Sequence, residues 1–429
     1  MTDENQSIYK NSYLGIFSVN YFIQGTVTSI FSVIVPIYIL MIITTTGATI
    51  TAADIAYIAT IILIPWSIKI IFGILTDKYG VEKIGRRRPW ILTTFLIAGI
   101  TWILLPSLIT PTNVIFIFII TGLIIMAGTA ISDTALDGLI IDIVPKEQLG
   151  RVQGTCWGFR SVGMIFGGPL FGILIWIFRI LVEYIFVLMG IFMIIAAFSI
   201  MIVKEPKTYP DVLLVKQLKA MILSGRDWKM YGFSAFNAII DFVVILFLSL
   251  YVLIQMGIIS STGTSLELET TDPSVYLIQA YISSLVSIGI VGGAALGGII
   301  ADKISRRISV YFSYTLATIA LLMMLLSAHV VYLLILGVFI GVGMGWRHAS
   351  YSAVAGEMSK KHPEMNSTYL SICNSFSNIG GTLGLALAGF LFASTGSYLF
   401  LFVFLALIQN IGIFPFLAMD KMDYEYKLS

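Results

Sequence analysis

The sequence predicts an all-α integral membrane protein with twelve transmembrane helices in two related sets of six. Two observations carry this. The 429 residues are 58% hydrophobic and only 11% charged, well below the roughly one-quarter charged content of soluble domains. One short signature also occurs twice. The first copy is Gly73-Ile-Leu-Thr-Asp77, followed by Gly85 and Arg86, Arg87 and Arg88. The second is Gly298-Ile-Ile-Ala-Asp302, followed by Arg306 and Arg307. Each follows a long apolar stretch, so the repeat marks two halves of one architecture.

A helix needs about 20 apolar residues to cross a bilayer. That ruler places spans at 14–43, 53–76, 89–107, 112–144, 148–177 and 180–203 in the first half. In the second half they fall at 229–256, 273–301, 308–326, 328–357, 364–394 and 397–419. The domains are therefore expected at 1–203 and 229–429. Residues 204–228 form a linker whose DVLLVKQLKAMIL stretch reads as an amphipathic helix on the inner leaflet, with Lys216 and Lys219 toward phosphates, or as a plain linker helix.

The cations orient the chain. With the N-terminus inside, every Lys and Arg lies in or beside a cytoplasmic segment except Arg179, on the outside, and Lys69, Arg160 and Arg347, within spans. This is the positive-inside asymmetry. It predicts both termini in the cytoplasm, and the inner membrane if the cell is prokaryotic. No cleavable signal peptide is read in the first residues. Cys156 and Cys373 lie in apolar segments and are not expected to pair.

At the cytoplasmic ends, the glycines Gly73 and Gly298 are expected to let helices approach closely. Span 4 ends at Asp142 and span 10 at Glu357. Arg86, Arg87 or Arg88 can reach Asp142, and Arg306 or Arg307 can reach Glu357. Guanidinium–carboxylate pairs are directional, so these groups form a candidate gate. Asp77 and Asp302 are expected to hold the start of the opposite half's bundle. Plain topology signalling is the alternative.

Charges buried mid-membrane are costly and are usually paired or wet. At 1.5 Å per residue, Lys69 and Asp137 lie about 10 Å deep, and Asp133, Arg160, Asp241 and Arg347 about 15–18 Å deep. Asp133 and Asp137 are four apart and share a helix face. Depth suggests the pairs Lys69–Asp137, Arg160–Asp133 and Arg347–Asp241, with His348 next to Arg347. Snorkelling of Lys69, a purely structural network, and packing of His348 are the competing readings. Asn20, Tyr21, Gln24, Asn237, Asn374 and Asn378 are polar groups that can read a solute, and Gln24 and Asn237 are the leading ones. Trp66, Trp157 and Trp346 can stack on a ring.

The doubled signature resembles the cytoplasmic loop motif of the major facilitator superfamily, with Ser305 where glycine is typical and a longer first loop containing GRRRPWIL. PWSIKIIFGILTD and SDTALDGLIIDIVPKEQLGRVQGTCWGFRSVG look like the peptide/acetyl-coenzyme A transporter branch, which includes muropeptide permeases, and the folate–biopterin branch. The GRRRPW loop also occurs in glycoside–pentoside–hexuronide:cation symporters. The resemblance implies a 6+6 pseudo-symmetric major facilitator fold, with spans 1, 4, 7 and 10 lining a cavity and the loop motif acting as a latch. It implies secondary active transport by alternating access, with proton symport of an organic solute first. A sugar:cation symporter, a passive uniporter and a transporter-fold sensor are the alternatives.

No GxxxxGK[ST] phosphate loop and no His/Cys metal cluster occurs in the sequence, and no enzymatic role is expected. No cofactor is expected beyond a coupling ion, H⁺ first and Na⁺ second. Asp133 and Asp137 would supply oxygens to Na⁺. Expected partners are a small-molecule solute and membrane lipid, not nucleic acid, and the chain is expected to be a monomer.

Overall fold

The computed structural model describes residues 8–81, 83–205, 214–362 and 366–425. Among these residues, eleven helices are long and apolar enough to cross a membrane. They are Asn11–Thr45, Ala52–Lys78, Arg88–Leu108, Val114–Ile143, Arg151–Phe178 and Val182–Ile202, then Gly225–Gln255, Ser274–Lys303, Val330–Ser359, Thr368–Thr395 and Tyr398–Ala418. The helix at the ninth expected position, Arg306–Met323, starts on two arginines and carries several Ser, Thr and Tyr residues, which lowers its hydropathy. Numbered in chain order with that helix ninth, they are spans 1 to 12. Span 7 starts at Gly225 and not 229 because Ser224 caps it, accepting the Asp227 N–H.

The chain groups into two compact units. Unit 1 comprises Met1–Gly47 and Ile61–Asp211, and unit 2 comprises Ala48–Thr60 and Val212–Ser429. The first turns of span 2, up to Thr60, therefore belong to the second unit. The reason is a small sheet: β1 (Ile50–Thr51) pairs antiparallel with β3 (Ser265–Leu268), which also pairs with β2 (Ile259–Thr262). The hairpin turns at Gly263, whose φ of +65° suits glycine.

In unit 1, span 1 lies against span 5 at backbone contact. A Cβ on Gly25 would meet the Arg160 carbonyl oxygen at 2.0 Å, and one on Gly163 would meet the Phe22 carbonyl oxygen at 2.0 Å. Small residues allow this approach, and it fixes where Arg160 emerges. Tyr13, Phe17 and Tyr21 of span 1 pack with Leu136, Leu139 and Ile140 of span 4 and with Cys156. Both cysteines are buried and free. In the linker, Leu214–Leu223 is helical and Lys219 is exposed. Residues 206–213 and the side chain of Lys216 lie outside the described residues, as does Pro363 at the expected break between spans 10 and 11.

Two spans are broken where they carry charge. Span 2 runs Ala52–Ser67, breaks at Ile68 and resumes at Lys69. Pro65 removes a helix donor just upstream. Span 7 breaks over Ala238–Ile240 and resumes at Asp241, which therefore sits in a first helical turn. A carboxylate is favoured there by unpaired N–H groups and the helix dipole.

Candidate functional site

In unit 1, Asp133 on span 4 collects two cations. Lys69 Nζ contacts its Oδ2, and Arg160 Nη1 lies 3.2 Å from its Oδ1. Arg160–Asp133 is the expected pair, whereas Lys69 goes to Asp133 and not to Asp137. The break at Ile68 explains the difference, because depth counted along an uninterrupted helix misplaces Lys69. Asp137, one turn away, accepts a hydrogen bond from the Tyr21 hydroxyl. Among the described residues, no Lys or Arg nitrogen lies within 4 Å of its carboxylate.

Aromatic rings frame this cluster. The Arg160 guanidinium lies 4.8 Å from the Trp66 ring centre and 5.0 Å from that of Trp157, and Lys69 lies 5.3 Å from that of Trp66. Ring faces attract cations, so the indoles hold the two cations in place beside Asp133. Trp66 is buried, and Trp157 is 48% exposed. Gln24 is fully buried and, among the described residues, neither of its amide atoms has a hydrogen-bond partner. Span 4 runs antiparallel to span 1, so the Tyr21–Asp137 contact puts Gln24 near the level of Asp133. Asn20 donates to the Ile16 carbonyl at 2.9 Å, and its Oδ1 is unpartnered.

In unit 2, Arg347 and Asp241 pair as expected, with Nη2 to Oδ1 at 2.5 Å. Arg347 is 1% exposed and also donates through Nη1 to Gln409 Oε1 at 2.9 Å. Gln409 in turn donates to Thr318 at 3.2 Å. The guanidinium is thus clamped between spans 7 and 12. His348 is not a packing residue only: its Nε2 lies 2.8 Å from Asp241 Oδ2, and 41% of its side chain is exposed. Its Nδ1 lies 3.3 Å from Asn237 Nδ2, which also donates to Ser377 at 3.3 Å. Trp346 is tied to Ser309 at 3.0 Å through its indole N–H. It packs against Phe312 with ring centres 4.6 Å apart.

At the basic ends, Arg86 Nη2 lies 3.0 Å and Arg87 Nε 3.3 Å from Asp142 Oδ2. Arg87 also contacts Asp77 and donates to Thr76 at 3.0 Å. Asp77 therefore pairs within its own half, contrary to the expectation of a partner in the other. The long first loop explains this: a turn closed by Val81 N–H to the Gly85 carbonyl at 2.9 Å folds the arginines back under span 2. Arg88 goes to Glu205, 3.5 Å away, and not to Asp142. In unit 2, Arg306 pairs with Glu357 at 3.0 Å and donates to the Tyr424 carbonyl at 2.7 Å. Burial pushes the Tyr424 phenol up to about 12, so it packs there as a neutral ring. Arg307 donates to the Tyr311 hydroxyl at 2.9 Å and not to Glu357. Asp302 is exposed and, among the described residues, has no ion pair.

The signature glycines do not make the close approach expected of them. A Cβ on Gly298 would meet nothing within 4 Å, and one on Gly73 only Thr134 at 3.7 Å. The tight position is the neighbouring Gly297, where a Cβ would meet the Trp346 ring at 2.6 Å. One residue is about 100° of helix turn, so Gly298 faces away from span 10.

The sequence reading missed Glu205 and Gln409. Glu205 follows span 6 and accepts the backbone N–H groups of Arg86, Arg87 and Arg88 at 2.9, 2.7 and 3.2 Å. Glu425, after span 12, accepts the Arg307 N–H at 3.2 Å. The recurrence of a carboxylate just beyond the sixth span of each half is a signal the sequence did carry.

A family profile described as Major Facilitator Superfamily matches residues 17–268 and 245–422. The chain is 28% identical over 290 residues to the putative transporter AmpG 3 of Rickettsia prowazekii, covering 62% of this chain and 64% of that protein. It is 36% identical over 116 residues to the putative transporter AmpG 1 of Rickettsia conorii, covering 26% and 27%. A probable folate-biopterin transporter 4 of Arabidopsis thaliana is 22% identical over 178 residues, covering 40% and 36%. The chain thus spans only about a quarter to two-thirds of the length of these relatives. Among solved structures, an inward-facing bacterial homolog of the human lysosomal transporter Spinster superposes with a TM-score of 0.67 at 13% identity, over 100% of both chains. The nucleoside transporter NupG gives 0.67 at 13% identity, over 95% of this chain and 100% of its own. At that identity these show the fold alone. The profile match extends over nearly all of the chain, which belongs to the Major Facilitator Superfamily and is a multi-pass membrane protein.

Proposed function

We propose that this protein is a proton-coupled symporter that carries a polar organic solute by alternating access, as a monomer in the inner membrane with both termini in the cytoplasm. The observation that carries the reading is the unequal treatment of two carboxylates one turn apart. Asp133 is paired with both Lys69 and Arg160, whereas Asp137, among the described residues, has no cation within 4 Å and accepts from the Tyr21 hydroxyl. An intramembrane carboxylate without a cation is at its most stable protonated. Asp137 can therefore take a proton without dismantling the Lys69–Asp133–Arg160 cluster, and is a better candidate than Asp133. Asp241, held by Arg347 and His348, is the counterpart of Asp133 in unit 2. Gln24, Arg160 and Trp157 are the proposed solute contacts in unit 1, and Asn237 and His348 those in unit 2. The ion pairs on Asp77, Asp142 and Glu357 are the proposed cytoplasmic gate.

For the solute, the sequence resemblance favours a muropeptide, a pterin or an acyl-coenzyme A, and the similarity to a probable folate-biopterin transporter supports the pterin. A sugar is the second reading, favoured by the GRRRPW loop. Purified protein is screened by thermal shift against these four classes at two pH values, and the responding class is then tested for uptake into liposomes carrying a lumenal pH probe. Symport predicts uptake driven by an acid-outside gradient, with lumenal acidification. Equilibration without accumulation, or binding without flux, would replace symport with uniport or sensing.

A further inference from the structure

The surroundings of His348 settle where a proton can be added. Asp241 accepts from Arg347 through Oδ1, so its carboxylate is ionised, and its Oδ2 faces His348 Nε2 at 2.8 Å. A carboxylate oxygen is an acceptor, so Nε2 carries the hydrogen. The neutral ring then has its lone pair on Nδ1, where Asn237 Nδ2 donates to it at 3.3 Å. The same amide nitrogen donates to Ser377 Oγ at 3.3 Å, while Asn237 Oδ1 is buried and has no partner among the described residues. Asn237 is 1% exposed.

We propose that His348 Nδ1 is a proton-uptake site and that the Asn237 amide turns over when the proton arrives. The proton comes from hydronium in the solvent at the exposed edge of the ring: one of its O–H bonds breaks to leave water as a new N–H bond forms at Nδ1, while Nε2 keeps its hydrogen. An amide N–H facing that new N–H is repulsive. A half-turn about the last side-chain bond of Asn237 exchanges Nδ2 and Oδ1, which are nearly the same size. Oδ1 then accepts from Nδ1–H, and Ser377, whose hydroxyl can donate or accept, rotates to donate to the same oxygen. One pocket thus satisfies both protonation states. The other charged groups around the ring are Asp241 on span 7 and Arg347 on span 10, with the Tyr314 phenol of span 9 in the field of both. Spans 11 and 12 contribute the uncharged Ser377 and Gln409.

This inference rests on the proton-coupled reading, but its test needs no solute. The full chain is labelled with ¹⁵N in histidine and asparagine and placed in lipid nanodiscs. Of the three histidines, His348 is assigned by loss of its signals in His348→Gln. The neutral ring is expected to carry its proton on Nε2, Nδ1 to gain one as the pH is lowered, and the Asn237 side-chain amide signal to move with the same midpoint. Asn237→Leu decides the sign. A charge-assisted hydrogen bond is about twice as strong as a neutral one. If the amide turns over, its loss costs the imidazolium more, and the midpoint falls by about half to one pH unit. If the amide is a fixed donor, its loss raises the midpoint. A raised midpoint, a neutral ring protonated on Nδ1, or a ring that does not titrate overturns the proposal. A lumen that fails to acidify during uptake overturns symport instead and leaves the nitrogen signals to decide this site.

Discussion

The Glu205 carboxylate lies 2.7 Å from the backbone nitrogen of Arg87 and accepts its N–H, and it takes the N–H groups of Arg86 and Arg88 as well. A side chain from beyond span 6 therefore caps the start of span 3. Gly85, with φ of +121°, leaves the room: a Cβ there would meet Glu205 Oε2 at 2.2 Å.

Glu205→Ala is expected to strip that cap and cost about 1–2 kcal/mol, with Glu205→Gln recovering part of it. The check is the melting temperature in detergent. An unchanged Tm in Glu205→Ala would show that the cap contributes nothing.

Asp133 and Asp137 are expected to behave differently as asparagines. Asp133→Asn leaves Lys69 and Arg160 without a carboxylate, a loss of about 3–5 kcal/mol for a buried pair, and should lower the yield of folded protein. Asp137→Asn should fold and lose gradient-driven accumulation far more than solute exchange. Full pH-driven accumulation in Asp137→Asn would remove this carboxylate from the coupling scheme.

Arg347→Lys is expected to be disruptive despite keeping the charge. An ammonium cannot span Asp241 and Gln409 as the planar guanidinium does. Gln409→Leu leaves the Nη1 group unsatisfied in the interior, costing about 1–3 kcal/mol. Both effects are read by thermal unfolding, and the double variant should lose less than the sum because the two share one bond.

The strand pair Thr51↔Ser265 supplies a mechanical test. Directly opposed antiparallel residues have Cα atoms about 4.5–5.5 Å apart, within disulfide reach. Span 2 has residues 52–60 in one compact unit and 61–78 in the other, so bending within span 2 would pull on the sheet. Oxidised Thr51→Cys/Ser265→Cys protein should lose transport, and reductant should restore it. Full transport by the crosslinked protein would assign the bending to span 2 alone.

Much of this was legible in the string because the bilayer simplifies the physics. Spans must be apolar, cations collect on one face, and a buried charge needs a partner. Those rules yielded the helices, the repeated signature, Arg160–Asp133, Arg347–Asp241, and arginines on Asp142 and Glu357. They failed for Lys69 and Asp77. A helix break at Ile68 and a folded-back loop closed at Gly85 moved those groups off the lines that sequence distance draws. The broken span 7 had no Pro or Gly to announce it, and Gln409 looked like any other amide.

The sequence by itself determined the membrane class, the two-fold repeat and which charges must be accommodated, because composition and periodicity are properties of single segments. Only the tertiary structure decided that, among the described residues, Asp137 has no cation within 4 Å while Asp133 has two, which arginine is clamped, and that His348 shares Asp241 while facing Asn237. Those outcomes depend on how four or five helices present single side chains at one depth, and a rotation of about 100° per residue reassigns every partner.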